Sequence, residues 1–185
     1  MNNRLNKSIN EKESLIDETE AMAHLELNYQ PSLHQPLLTA KEVSLSYYQQ
    51  LFNPVSFTLS NREQLALIGN NGVGKSSLIR AIYDNFPGNI SGHLDLDHQL
   101  KISLVRQDYS DRHGLLSAFA EEHQLDYEQL LNTLFKLGFN RETFQVPIEQ
   151  MSMGQQKRVE LAKSLVEPAQ LYIWDEPLNY LDTYN

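Results

Sequence analysis

The chain has 185 residues, 41% of them hydrophobic and 21% charged, with a formal charge of −9 and no cysteine. This composition fits one globular domain with a buried core; it excludes disulfides and thiolate metal sites and argues against a diffuse nucleic-acid binder. No apolar run reaches the roughly 20 residues that span a bilayer and no basic-then-apolar leader opens the chain, so no direct membrane insertion is expected and a cytoplasmic location is.

Residues 1 to 37 begin polar, with Leu15, Ile16, Met22 and Leu25 as a thin helical stripe, and "YQPSLHQP" (Tyr29 to Pro36) breaks the pattern. They read as a solvated linker helix followed by a loop. From Leu38 short strand-like runs follow: "LLTAKEVSLSYY", "VSFTL" and "EQLALIG". Leu78, Ile79 and Ile82 then stand at helical spacing, stopped by Pro87-Gly88. "HLDLDHQLKISLV" returns to strands. The middle is helical. "DYEQLLNTLFKLG" offers Asp126 as N-cap, Gln129 three residues on and Gly138 as stop. "SMGQQKRVELAKSLVEP" opens with Ser152 and Gln155 in capping-box spacing and ends before Pro168. "AQLYIWDE" is a short apolar run of the kind buried in a parallel sheet. The alternation indicates an α/β fold with a helical insert over 108–165.

"GNNGVGKSS", Gly69 to Ser77, satisfies G-x-x-x-x-G-K-[ST] between an expected strand, "LALI", and an expected helix. Gly69, Gly72 and Gly74 can adopt the angles that turn successive N–H groups inward, and Asn70, Asn71, Val73 and Ser77 complete the cradle. Lys75 is expected to reach the β- and γ-phosphates of a nucleotide, and the Ser76 hydroxyl to ligate Mg²⁺. A phosphate-bound Mg²⁺ needs an acid at the end of a neighbouring apolar strand, where Asp175 stands. Glu176, one residue on, can polarise an attacking water.

Three more stretches accompany these: "LVRQD", "MSMGQQKR" and "EPLNYLD". In this order, from about Leu38 to the last residue, the set resembles the nucleotide-binding domain of an ATP-binding cassette (ABC) protein. The resemblance implies a P-loop NTPase fold, an ABC core sheet with a helical signature subdomain, incomplete at the C-terminus. It implies that Gln107 senses Mg²⁺ and the water, as both a catalytic and a metal-site residue. Ser152, Gly154 and Gln155 become the signature motif, "MSMGQ" where the family usually has "LSGGQ", facing nucleotide held by a second cassette. Asp182 becomes the D-loop aspartate, and Tyr47, or else Tyr48, the ring that stacks on adenine.

Transporter cassettes commonly read E-P-T-x-x-L-D and the ABC-F branch E-P-T-N-H-L-D; "EPLNYLD" keeps Asn179 and an aromatic for the histidine. It is similar to the second cassette of antibiotic-resistance ABC-F proteins. Those carry two cassettes, bind the ribosome and displace drugs. The implied layout is a linker tail (1–37), an ATP-binding core (38–107), a helical signature subdomain (108–165) and a strand with D-loop (166–185). The ribosome-contacting parts and the strand leading to a switch histidine lie in sequence this chain does not contain. The isolated chain is therefore expected to bind but not turn over ATP. His24, His34, His93, His98, His113 and His123 read as surface or loop residues. The alternatives are the ATPase subunit of a membrane transporter, disfavoured by the compact insert between Gln107 and Ser152, and an inert gene fragment.

Overall fold

The computed structural model describes residues 25–83, 86–106 and 111–177. The helix expected within residues 1–24 lies outside them. Two small sheets and one group of helices make up the described fold. β1 (Leu38–Ser46) is the centre of an antiparallel sheet, flanked by β2 (Val55–Leu59) and β3 (Asn89–Leu96). Its register against β3 shifts between Lys41 and Ser44, where Glu42 stands at φ +50°; opposite, Gly92 at φ +82° leaves no room for a Cβ against the Glu42 carbonyl. β4 (Ile102–Val105) and β5 (Leu171–Trp174) form a parallel pair, with Ile102 opposite Leu171 and Val105 opposite Trp174.

α1 (Lys75–Tyr83) buries Leu78 and Ile79, and Leu78 joins Ala40, Val43, Leu45 and Phe86 in one apolar cluster. Leu38, Leu59 and Leu171 form a second cluster that ties the antiparallel sheet to β5. The largest cluster is helical. α2 (Leu116–Glu122), α3 (Tyr127–Lys136) and α4 (Met153–Val166) enclose Phe119, Leu130, Leu134 and Ile148, all fully buried. Each such side chain contributes roughly 1.5–3 kcal/mol of burial, so this cluster is a main source of the packing between the helices. α3 is capped by Asp126, whose side chain accepts from the Gln129 N–H, and Gly138 follows it at φ +88°.

α4 departs from an amphipathic pattern. From Val159 to Val166 every residue is buried, because helices pack on one face and β4 and β5 on another. The docking of the strands includes a polar tether: Ser103 Oγ and Trp174 Nε1 both donate to Ser164 Oγ at 2.9 Å. The far end of α4 is closed by the segment read as solvated. Asn28 donates from its backbone to the Leu165 carbonyl at 3.0 Å and from Nδ2 to the Val166 carbonyl at 2.9 Å, which satisfies orphan carbonyls of the last turn. Tyr29 Oη then reaches Asn61 Oδ1 at 2.7 Å, fastening this strap to the turn after β2.

One expectation is corrected. The run "EQLALIG" forms no strand. A strand needs a neighbour for its backbone groups, and β5 pairs with β4 alone among the described strands; Leu65 and Ile68 are exposed in consequence. His123 is a loop residue, half-buried in the turn that ends α2. It lies against Phe119, ring centroids 4.5 Å apart, with Nε2 2.8 Å from Arg112 Nη1. The other histidines of 34–113 lie in loops or on the exposed edge of β3.

Burial and the nearby guanidinium of Arg112 hold the His123 imidazole below its ordinary value; Lys163 adds to this, and Glu122 and Glu160 oppose it. The unfolded chain takes up this proton near pH 6.5 and the folded chain only below that. The stabilisation is therefore complete above about pH 6.5 and is lost as pH falls through the folded value. Melting temperature should fall further between about pH 7.5 and pH 5.5 in the parent than in His123→Gln, the two curves separating only in the acid half. Parallel curves would contradict this.

Candidate functional site

The glycine-rich loop leads directly into α1. Gly72 and Gly74 stand at φ +80° and +101°, where a side chain is costly. At Gly74 a Cβ would also lie 3.0 Å from Phe52 Cδ1 and 3.2 Å from Leu51 Cβ, so the loop is pressed against the residues that follow β1. The Val73 N–H donates to the Asn70 carbonyl at 3.3 Å, and Leu78 N–H to the Gly74 carbonyl at 2.9 Å. Lys75 folds back over the loop. Its Nζ donates to the carbonyls of Gly69, at 2.9 Å, and Asn70, at 3.1 Å, both exposed. Those are bonds that the oxygens of a phosphate can replace. The first N–H groups of α1 have no partner within the helix and add its positive end.

Above the loop lies a cavity of about 470 Å³, lined by Asn71, Gly72, Gly74, Lys75, Ser76 and Ser77 with Tyr47, Leu51 and Glu176. One ammonium, two serine hydroxyls and one carboxylate thus border a single space, with the Tyr47 ring at its side. Tyr47 rather than Tyr48 borders it. The Tyr47 ring packs on Phe86, centroids 4.9 Å apart, and is 44% exposed, whereas Tyr48 stands fully in solvent. Tyr47 therefore belongs to the core on one face and to the cavity on the other.

Glu176 has φ +50°, a conformation that non-glycine residues seldom hold and that concentrates at working sites. Asp175, at the end of β5, is buried; its N–H donates to the Val105 carbonyl at 3.1 Å and it does not border the cavity. Among the described residues no three His, Asp or Glu side chains cluster as a self-contained metal site. The Ser76 hydroxyl that lines the cavity is an oxygen donor of the kind that suits Mg²⁺, which is commonly held by one or two protein groups together with substrate phosphates.

Ser152, Gly154 and Gln155 stand apart from this cavity, at the start of α4. Ser152 Oγ accepts from the Gln155 N–H at 3.3 Å, and Gln155 Oε1 accepts from the Ser152 N–H at 2.9 Å, a complete capping box. Met153 beside it is 56% exposed. Gln107 and Asp182 lie outside the described residues. One charged residue went unread in the sequence. Lys157, 2% exposed, donates from Nζ to the Arg106 carbonyl at 3.2 Å and the Asp175 carbonyl at 3.4 Å. Its helical phase with Leu161, Ser164 and Leu165 was the available signal.

Comparison with known proteins agrees with this geometry. The family model described as ABC transporter matches residues 52–179. Elongation factor 3 of Candida albicans is 31% identical over 78% of this chain, and the ATP-binding protein YdiF of Bacillus subtilis 28% over 91%. The chain spans only 14% and 27% of those two proteins. A solved structure titled as the ATP binding subunit of an ABC transporter superposes with a TM-score of 0.60 at 26% identity, covering 80% of this chain and 69% of that one. An ABC transporter ATP-binding protein from Pyrococcus furiosus, at 18% identity and TM-score 0.68 over 79% of this chain and 78% of its own, shares the fold.

Replacing Ser152 with alanine removes the hydroxyl half of the box and should cost about 1 kcal/mol of stability. Urea unfolding of Ser152→Ala reads this directly; a midpoint equal to the parent's would show that the box does not hold the start of α4.

Proposed function

The chain belongs to the ABC transporter family of ATP-binding domains, and from that premise we propose that it binds Mg-ATP at the glycine-rich loop and hydrolyses it when closed against a second cassette. The observation that carries this reading is the convergence of Lys75, Ser76 and Glu176 on one cavity. Lys75 Nζ exchanges its two loop carbonyls for oxygens of the β- and γ-phosphates, and the loop N–H groups hold the remainder. Ser76 Oγ would hold the cation together with the phosphates, joined by the Asp175 carboxylate from the strand end beside the cavity, and its charge would offset that of the phosphates. Glu176 accepts a proton from water as that water adds to the γ-phosphorus and the bond to the bridging oxygen breaks. Tyr47 offers its exposed face to the base. Gln107 orients the water and Asp182 meets the partner cassette. Ser152, Gly154 and Gln155 stand apart from this cavity, at the positive end of α4, which would meet the γ-phosphate in the partner's site.

The finer reading is an ABC-F cassette acting on the ribosome, with antibiotic resistance by ribosome protection as the biological outcome. "EPLNYLD", with Asn179 in place, supports it, as does the likeness to elongation factor 3. A second reading, the ATPase subunit of a membrane transporter, draws on the solved relatives, one of which is titled as a transporter's ATP binding subunit.

Lys75→Ala should weaken binding of a fluorescent ATP analogue at least tenfold, while Glu176→Gln, which keeps the cradle, should bind as the parent does. Equal affinities of Lys75→Ala and parent would sink the nucleotide reading. The two cellular readings separate by fractionation of a longer protein that joins this cassette to a first one: its Glu176→Gln form should accumulate with ribosomes, and recovery with membranes would favour the transporter reading instead.

A further inference from the structure

A buried ammonium is costly, and an apolar side chain of similar length would fill the same space in α4. Lys157 nonetheless stands there. Glu160, one turn along the helix, does not require it, since Arg112 Nε donates to Glu160 Oε1 at 2.6 Å. What distinguishes Lys157 is the pair of groups its Nζ holds. The Arg106 carbonyl belongs to the peptide between residues 106 and 107, the one immediately before Gln107. The Asp175 carbonyl belongs to the peptide between Asp175 and Glu176. The orientation of that second peptide is one of the variables that define φ of Glu176, which sits at +50°.

We propose that Lys157 is a positioning residue for nucleotide chemistry: its ammonium holds the Arg106 and Asp175 carbonyls and so fixes the backbone that presents Glu176 to the cavity above the phosphate loop. This rests on the nucleotide reading of that loop. The same helix opens five residues earlier at the capped Ser152. A change at Ser152, where a partner's nucleotide is to be met, is therefore passed along one rigid turn and a half to the acids of this chain's own site. Burial lowers the affinity of Lys157 for its proton, while the charges of Asp175, Glu160 and Glu176 work against that shift and keep a cation favoured beside them.

Lys157→Met keeps the stem and removes the donors. Lys163→Met is its control, because Lys163 is also buried on α4 but pairs with Glu167 at 3.2 Å, away from the loop. Two measurements decide. In the nucleotide-free chain, amide resonances of residue 107 and Glu176 should shift in Lys157→Met and stay in place in Lys163→Met. With a fluorescent ATP analogue, the ratio of dissociation constants in EDTA and in Mg²⁺ should shrink at least fivefold in Lys157→Met, with the EDTA value within twofold of the parent. Unmoved resonances, or equal effects from both variants, would overturn the proposal. Should Lys157→Met not give a folded spectrum, Lys157→Gln is judged by the same two readings. Resonances that shift as expected in a parent that binds no nucleotide would uphold the clamp on the peptides but overturn its stated purpose, together with the nucleotide reading.

Discussion

The parallel pairing of β4 with β5 sets the level at which the charged groups of the site stand. Val105 lies opposite Trp174, so both strands end together, and the Asp175 N–H closes on the Val105 carbonyl one step beyond the last pair. Parallel strands demand a crossover connection, and here it is the helical region ending in α4. α4 therefore runs back along the strands it connects, and Lys157, Leu161 and Ser164 meet them in turn. Strand ends, acids and helix form one mechanical unit.

That unit has two outlets. At the strand ends it presents Glu176 to the cavity over the phosphate loop; at the start of α4 it presents Ser152 and the exposed Met153 to solvent. A helix buried on every side after Val159 has little freedom to tilt without disturbing the apolar cluster of α2 and α3 or the Ser103–Ser164–Trp174 tether. Asn28 and Tyr29 add a third connection, linking the far end of α4 to Asn61 in the turn after β2.

Much of this was legible in the sequence because it depends on local chemistry. The loop glycines, the Asp126 cap and the Ser152–Gln155 box each satisfy nearby backbone groups, so residue types a few positions apart announced them. "LALI" misled because its alternation records a potential strand, while a strand exists only through a partner; Ile68 is 93% exposed for want of one. Lys157 and the packing of His123 were missed for the opposite reason. A charged or titratable side chain reads as surface until long-range packing encloses it, and the groups enclosing these two include Asp175 and Arg112. The polar strap at Asn28 escaped notice likewise, since its value lies in carbonyls more than a hundred residues away.

The central claim is that the phosphate loop and the strand-end acids make one nucleotide site. Hydrogen exchange with and without Mg-ATP tests it most directly. The account predicts that amides of residues 70–77 and of 175–176 gain protection together, while α3 is unaffected. Protection confined to one of the two segments, or absent from both at saturating nucleotide, would contradict it.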